Sequence, residues 1–447
     1  MQEYARFADS DEVKKNLTKM NKDTEIVKSG IPYFHDDDYV YVDTSDAHNI
    51  VVGSTGSGKT QTTVLPQLRL SLLAGESIVV VDEMGDIYSR LGSELKKRKY
   101  KVQIINFQDT SKSNNFNPLL APYKLYKNKH QDDAFKMLED IAGIIYKTEG
   151  KDMDPFWINS ARDYFMGLCL YLFEKAKPEE INFNSIFELA LQIEEKGKAK
   201  EILEDLPSTS PAAINLSGTL LAPTETRGGI VSVFKQVLNS IISRTQLSSL
   251  LASSDIDLDD LLKDQFAIFI VGEPHGIISK FESMLINEIY DVINIQSRRS
   301  KRVNVILDRF TELEPITSFH NILSRSRALN IRFTLLIDSY TSLELVYGRE
   351  ESIQIINNVA SIIYLLSTDD NTVRKMSNFI GEQAPNIPLV SPQELKTLKM
   401  FEAIIVKTRE YPIKTKLIPD FKITWKMDEK EQGYPTRKEA DIKIYKI

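Results

Sequence analysis

GSTGSGKT, residues 53–60, is a complete match to the phosphate-loop pattern G-x-x-x-x-G-K-[ST]. An apolar run at 48–52 precedes it and predicts a buried strand, and residues 61–74 carry apolar side chains at helical spacing. This setting suits phosphate binding, because the glycines let backbone N–H groups surround the anion and the helix N-terminus adds its positive dipole end. The stretch therefore predicts a nucleotide site on an α/β fold.

Each residue of the loop has an expected task in that site. Its backbone N–H groups would hold the phosphates, Lys59 would reach the β- and γ-phosphates, and the Thr60 hydroxyl would hold Mg²⁺. We therefore expect ATP and Mg²⁺ as cofactors. The expected ligands are Gly53, Ser54, Thr55, Gly56, Ser57, Gly58, Lys59 and Thr60.

Length and composition limit the class of protein. At 447 residues the chain is too long for one compact core, so we expect two structural units. No uncharged apolar run is long enough to span a membrane, and residues 1–30 are too polar for a signal peptide. The net charge of −7 argues against a surface that is coated with nucleic acid, although it leaves room for a local basic channel. We expect a cytoplasmic protein, and attachment to the inner face of the cell membrane through a partner stays open.

Short apolar runs alternate with helical patterns along most of the chain, which is typical of a mainly parallel sheet covered on both faces. The runs lie at 77–81, 102–106, 266–271, 303–307, 331–337, 361–366 and 403–406. From about 121 to 225 the alternation stops, and helical patterns follow one another at 132–146, 156–175, 184–195 and 198–206. This pattern predicts an all-helical domain inserted into an α/β domain.

Composition also suggests the boundaries between domains. Residues 206–229 are rich in Pro, Ser, Thr and Gly and read as a linker that returns to the sheet. We expect an N-terminal segment that packs on the sheet at 1–48, a discontinuous nucleotide-binding domain at 49–125 and 221–425, the helical insertion at 126–220 and a charged tail at 426–447.

Two predicted strands end in carboxylates. A phosphate loop needs a carboxylate on a neighbouring strand to support Mg²⁺, usually followed by a base that orients the attacking water. The run at 303–307 ends in Asp308, which we predict to lie on the metal side, although a strand ending in Asp can also be a turn signal. The run at 77–81 ends in Asp82 and Glu83, but its place directly after the phosphate-loop helix makes it the second strand of the fold.

Further motifs resemble the coupling-protein family of conjugative and type IV secretion systems, the TraG-like relatives of FtsK/HerA-type DNA pumps. The resemblance covers most of the chain and implies a RecA-like fold with the helical insertion. Besides the phosphate loop, it is carried by Tyr4-Ala5-Arg6-Phe7-Ala8, Asp82-Glu83-Met84-Gly85-Asp86, Ser113 to Leu119 (SNNFNPL), Asp154-Pro155-Phe156-Trp157, Thr226-Arg227-Gly228-Gly229-Ile230 and Tyr347-Gly348.

This chain departs from the family at catalytic positions. The family has Asp-Glu-Phe where this chain has Asp308-Arg309-Phe310, so a cation replaces the expected base. The next strand ends in Asp338, where the family has a Gln that senses the γ-phosphate. Independent drift is one interpretation, and a compensating ion pair between Arg309 and Asp338 is another. Glu83 and Glu312 are the carboxylates nearest by motif position that could act as a substitute base.

The resemblance implies an ATPase that recruits or pumps a DNA–protein substrate, a relaxase–DNA complex, to a secretion channel. Implied partners are DNA, the channel ATPases or membrane components, and further copies of the chain in a hexameric ring with nucleotide at subunit boundaries. Arg227 is a candidate for reaching a neighbour's nucleotide, and a plain surface arginine is the alternative. Two other functions stay open: a hydrolysis-impaired pseudo-ATPase that acts as scaffold or receptor, and a soluble FtsK/HerA-type DNA translocase.

Overall fold

A computed structural model describes residues 4–21, 23–36, 39–147, 154–195, 197–255, 257–261, 263–272, 276–296, 301–427, 430–439 and 441–447. The chain divides into two compact units. The first comprises Met1–Gln103, Leu261–Gly272 and Ile293–Tyr434, and the second comprises Ile104–Asp260, Glu273–Val292 and Pro435–Ile447.

The strands of the described residues form a large sheet and two small ones. Their bounds are β1 Thr18–Met20, β2 Ile31–His35, β3 Val40–Asp43, β4 Asn49–Gly53, β5 Ser77–Asp82, β6 Lys101–Asn106, β7 Phe266–Val271, β8 Val303–Leu307, β9 Ile331–Ile337, β10 Ser361–Leu366, β11 Glu382–Ala384, β12 Ile387–Pro388, β13 Glu402–Lys407 and β14 Ile413–Lys416. The large sheet has the order β14-β13-β10-β4-β9-β8-β5-β7-β6, and its strands from β10 to β7 run parallel, with β13 and β14 antiparallel at one edge.

Helices cover the sheet and build most of the second unit. They are α1 Ser10–Lys15, α2 Leu65–Ala74, α3 Asp86–Lys97, α4 Leu120–Lys127, α5 Gln131–Ile145, α6 Pro155–Lys175, α7 Phe183–Glu195, α8 Ala199–Glu204, α9 Pro211–Leu220, α10 Thr224–Ile242, α11 Thr245–Leu250, α12 Leu258–Leu261, α13 Ile277–Gln296, α14 Phe319–Ser326, α15 Tyr340–Asn358, α16 Asp370–Ile380 and α17 Pro392–Leu395.

The predicted fold class and the predicted strand and helix positions are confirmed, with ends that differ by one to a few residues. Strands β4, β5, β7, β8 and β9 are buried along their whole length, since helices exclude water from both faces of the sheet. Such strands have no polar face, and this is why they appear in the sequence as continuous apolar runs.

Buried polar groups fix the amino end of β4 within the first unit. The ring of His48, just before β4, donates from Nε2 to the Leu323 carbonyl oxygen at 2.8 Å and accepts the Phe333 N–H at Nδ1 at 3.0 Å. Burial lowers the pKa of His48 to about 4, and the Leu323 carbonyl opposes this change. The imidazole is therefore neutral, and its two backbone partners determine the tautomer.

A segment after β14 is fixed against α2 in the same unit. Arg69 on α2 forms a buried ion pair with Asp420 at 2.9 Å. The Trp425 indole N–H donates to the Asp420 carbonyl oxygen at 3.3 Å, and the Arg69 guanidinium lies 5.9 Å from the Trp425 ring centre. This small cluster anchors the chain where it leaves the sheet.

The second unit is built around α6, whose central and C-terminal residues are buried. Helix α10 packs on it closely: the Tyr164 and Phe234 rings meet edge to face at 5.0 Å. A Cβ atom at Gly229 would lie 2.5 Å from the Trp157 ring, so the absence of a side chain there allows this approach.

The predicted linker at 206–229 is wrong, because this segment contains α9 and the start of α10. Ser210 caps α9 by accepting the Ala213 N–H at 3.1 Å, and Pro211 occupies the first helical turn. Pro and Ser occur in linkers but also at helix N-termini, so composition alone did not separate the two.

The second unit also extends beyond the predicted 126–220, since it includes 104–125, 221–260 and the chain from Pro435. Residues of the predicted tail are hydrogen bonded within this unit. Asn182 donates to the Lys443 carbonyl oxygen at 2.8 Å, and Tyr445 N donates to Ser185 at 2.9 Å. The boundaries that we predicted for this domain therefore differ from the observed ones.

Candidate nucleotide site

Four neighbouring parallel strands, β4, β9, β8 and β5, end at the same edge of the sheet. The phosphate loop follows β4, and the carboxylates Asp338, Asp308 and Glu83 follow β9, β8 and β5. In open parallel sheets ligands bind at the carboxyl ends of the strands. The fold therefore gathers the predicted ligands and the residues that depart from the family pattern at one site.

The backbone of the phosphate loop forms a cradle. Gly56 and Gly58 have φ angles of 79° and 95°, a region that glycine adopts without steric cost. Gly53 lies so close to Ser57 that a Cβ atom would come within 2.4 Å of Ser57 Oγ. Ser57 is buried, and its hydroxyl has no hydrogen-bond partner within the described part of the chain. An orphaned hydroxyl in a glycine-rich loop fits the binding of an anion such as phosphate.

Lys59 is held by the site itself. Its Nζ lies 2.7 Å from Asp338 Oδ1 and also donates to the Gly53 carbonyl oxygen. The Lys59 side chain is 12% exposed and that of Asp338 is 48% exposed. The cation expected to bind phosphate is therefore paired with a carboxylate from the neighbouring strand.

The helix after the loop begins with one π-helical turn, Thr60–Val64, before α2. The Thr62 hydroxyl donates to the Gly58 carbonyl oxygen at 2.9 Å, and the Thr63 hydroxyl donates to that of Lys59 at 2.5 Å. Thr60, the predicted metal ligand, is half-buried at the start of this turn. Hydrogen bonds from the two following threonines thus hold the loop on the helix.

Asp308 stands at the end of β8, where we predicted the metal-side carboxylate. It accepts the Arg309 N–H at 3.0 Å. Burial raises its pKa, the Lys59 ammonium opposes that change, and the nearby Asp338 carboxylate adds to it. Asp308 and the Thr60 hydroxyl are oxygen donors, the kind of ligand that suits Mg²⁺.

Arg309 pairs with both carboxylates that we considered as substitute bases. Its Nε contacts Glu83, and its Nη1 lies 3.0 Å from Glu312 Oε2. The alternative of a compensating ion pair between Arg309 and Asp338 is wrong, because Asp338 pairs with Lys59 and Arg309 pairs with Glu83. Arg309 has a φ of 54°, a left-handed backbone conformation that is uncommon outside glycine and often marks functional sites.

The turn after β5 is organised by Asp82. Its carboxylate accepts the Gly85 N–H at 3.0 Å and the Ile87 N–H at 2.9 Å. Burial raises the pKa of Asp82 to about 6, although these N–H groups favour its charged form. The Tyr434 hydroxyl donates to the Gly85 carbonyl oxygen. The turn that carries Glu83 is thus fixed, and sequence reasoning missed the contribution of Tyr434.

Sequence reasoning also missed an aromatic residue beside the loop. A Cβ atom at Gly58 would lie 3.1 Å from the Phe401 ring, and the preceding Met400 is 58% exposed. Phe401 has a φ of 69°, which is strained for a bulky side chain. Neither motif nor periodicity singles out this turn, because its position depends on the pairing of β13 with β10.

The structure places Arg227, the remaining predicted site residue, in the second unit. It lies near the start of α10, where its guanidinium donates to the Leu220 carbonyl oxygen at 3.4 Å. Its action on a neighbour's nucleotide stays a prediction.

Comparison with known proteins agrees with this arrangement. A profile of the family described as "Type IV secretory system Conjugative DNA transfer" matches residues 5–387. The chain belongs to this family. Protein VirD4 from Rhizobium radiobacter is 21% identical over 345 residues, which cover 75% of this chain and 48% of VirD4. Conjugal transfer protein TraG from Escherichia coli is 21% identical over 341 residues, which cover 68% of this chain and 51% of TraG. The chain thus spans about half the length of these curated relatives.

Among solved structures, the plasmid coupling protein TrwB in complex with ADP and Mg²⁺ is similar, with a TM-score of 0.71 and 18% identity over 97% of both chains. At this identity the likeness establishes the fold, a RecA-like domain with a helical domain. No helix in the described ranges of this family member has both the length and the apolar character needed to cross a membrane.

Proposed function

We propose that this member of the conjugative DNA transfer family is a coupling ATPase that binds ATP with Mg²⁺ and recruits or pumps a DNA–protein substrate to a type IV secretion channel. The single observation that carries the proposal is the position of the loop at 53–60 beside Asp308, at the carboxyl edge of a sheet with the order β10-β4-β9-β8-β5. The complexes of TrwB with ADP and Mg²⁺ and with the ATP analogue ADPNP support nucleotide as the ligand.

The residues of the loop have separate tasks in this proposal. The backbone N–H groups of 53–60 and the buried Ser57 hydroxyl bind the phosphates, and Lys59 leaves Asp338 to neutralise them. Asp308 and Thr60 would hold Mg²⁺, which neutralises charge on the β- and γ-phosphates when bound. Lys59→Ala removes one charge-assisted contact and leaves the backbone cradle in place.

Calorimetry of ATP and ADP binding tests the proposal. Lys59→Ala should weaken binding by about tenfold to a hundredfold without a change in far-UV spectrum. Lys101→Ala is a suitable control, because Lys101 pairs with Asp264 at 2.9 Å on the surface, at the start of β6. Equal affinity for Lys59→Ala and wild type would contradict the proposal.

A specific observation favours a second function, that of a nucleotide-binding receptor that hydrolyses ATP poorly. Arg309 is permanently charged, so it cannot act as a base, and it pairs with Glu83 and Glu312. ATP turnover measured with and without DNA separates the two functions. A receptor would bind nucleotide, but DNA would not stimulate its ATP turnover.

Assembly is part of the proposal. Nucleotide at subunit boundaries would make ATP and DNA promote a hexameric ring, since ligands that bind across an interface stabilise it. Sedimentation velocity with each combination of nucleotide and DNA measures this effect. A monomer under every condition would remove support for a pump and leave the receptor function.

A further inference from the structure

The ion pair between Lys59 and Asp338 joins the phosphate loop to the neighbouring strand end. In the parallel register of β4 and β9, Val52 is opposite Ile337, so Gly53 and Asp338 leave the sheet side by side. The Lys59 ammonium lies between them, bonded to the Gly53 carbonyl oxygen and 2.7 Å from Asp338 Oδ1. Asp338 therefore forms an ion pair with the same Lys59 ammonium group that a bound phosphate would contact.

Two physical effects follow when Lys59 binds a nucleotide phosphate instead. First, any phosphate must displace the Asp338 carboxylate from Lys59, which lowers affinity for diphosphate and triphosphate alike. Second, the released carboxylate stays at the end of β9, and a third phosphate group brings added negative charge toward it. Like charges repel more strongly in a partly desolvated site than in water, so this second effect falls mainly on the triphosphate.

Other charges at this edge do not cancel that repulsion. Asp308 adds a further carboxylate at the end of the adjacent strand β8, and Arg309 is engaged by Glu83 and Glu312. Lys59 is the cation that contacts Asp338 within the described residues. A neutral amide at position 338 would accept or donate a hydrogen bond without either effect.

We propose that Asp338 sets the nucleotide selectivity of the site: it holds Lys59 when no nucleotide is bound and favours a nucleoside diphosphate over a triphosphate. This rests on the nucleotide binding proposed above. In this chain the site binds a nucleoside diphosphate more tightly than a triphosphate. Binding of the triphosphate requires that its additional negative charge be neutralised beside Asp338.

The test measures affinities for ADP and for ADPNP, each with Mg²⁺, by calorimetry on the full chain. Wild type should bind ADP more tightly than ADPNP. Asp338→Asn keeps the size of the side chain and removes its charge, so it should strengthen binding of both and shift the preference toward ADPNP by at least about tenfold. Pyrophosphate and tripolyphosphate should show the same shift, since the effect does not involve the base.

Asp264→Asn is the matched control, because Asp264 pairs with Lys101 on the surface, before the start of β7. It should leave the ratio of ADP to ADPNP affinity unchanged. If both wild type and Asp338→Asn bind ADP and their ratios of ADP to ADPNP affinity are equal, this inference is wrong, but the proposed function is not contradicted. If neither protein binds ADP, ADPNP or the inorganic phosphates, the proposed function fails, and this inference fails with it.

Discussion

Arg309 at the end of β8 forms an ion pair with Glu83 at the end of β5, across two neighbouring strands of the parallel sheet. The same guanidinium lies 3.0 Å from Glu312. One cation thus neutralises both carboxylates that we considered as substitute bases. The phosphate loop of the site is intact, but the two glutamates that could replace the general base are paired with Arg309.

The first prediction concerns this pairing. Arg309→Asn should raise ATP turnover at least about tenfold over a slow wild type, because a positioned general base contributes roughly 10²–10⁴ in rate. Asn tolerates the left-handed backbone at this position, so the fold should be unaffected. Steady-state turnover with Mg²⁺, measured with and without DNA, checks the expectation.

An additional substitution in the Arg309→Asn variant identifies the residue that acts as the base. In the Arg309→Asn background, Glu83→Gln or Glu312→Gln should abolish the gain, whichever carboxylate acts. Arg90→Asn serves as control, since Arg90 pairs with Asp86 on the exposed side of α3. Fast turnover of wild type that is insensitive to both glutamates would mean that the base lies elsewhere.

The second prediction concerns pH and stability. His48 is buried and neutral, with a pKa lowered to about 4, so unfolding releases a group that binds protons more readily. The contribution of neutral His48 to the free energy of unfolding is fully present above the ordinary pKa of about 6.5. It is lost as pH falls toward 4, because the unfolded chain then binds a proton on this histidine and the folded chain does not. The total loss is about 3 kcal/mol. The free energy of unfolding of wild type relative to His48→Gln should therefore decrease between pH 7 and pH 4.

Urea unfolding at several pH values, followed by circular dichroism, measures this difference. His130→Gln is the control, because His130 is exposed on the second unit. This variant shows how the loss of an exposed histidine changes the same unfolding transition. A difference between wild type and His48→Gln that does not change with pH would show that burial of the imidazole is not coupled to folding.

The third prediction uses two adjacent glycines of α10. A Cβ atom at Gly229 would lie 2.5 Å from Trp157, whereas one at Gly228 has no atom within 4 Å. Gly229→Ala should thus destabilise the second unit by about 1–3 kcal/mol through overpacking. Gly228→Ala should stabilise it by about 0.5–1 kcal/mol through helix propensity. Thermal unfolding of the two variants shows whether each one is less or more stable than wild type. Equal shifts of the two unfolding midpoints would contradict the packing of α10 on Trp157.

The fourth prediction concerns the extent of the helical unit. A fragment of residues 104–260 should be more stable than one of residues 126–220, because the longer fragment keeps α10 and its contact between Phe234 and Tyr164. Far-UV spectra and urea midpoints of the two fragments provide the comparison. A shorter fragment of equal stability would support the boundaries predicted from composition.

The sequence was sufficient for much of the fold. Buried parallel strands are continuous apolar runs, and the loop at 53–60 has a fixed pattern, so both could be located without coordinates. The partners of Arg309 and Asp338 could not, because the choice depends on side-chain direction at adjacent strand ends. The Phe401 turn was also out of reach, since an antiparallel strand from a distant part of the chain brings it to Gly58.

The chain has two tryptophans, and each lies in a different unit. Trp425 is close to Arg69 and bonded to Asp420 in the first unit, and Trp157 lies against Gly229 in the second. Replacing either one by Phe would leave a single intrinsic fluorophore. Its emission would then report the loosening of its own unit alone, so ligand effects on the nucleotide-binding and helical parts could be recorded separately without an attached label.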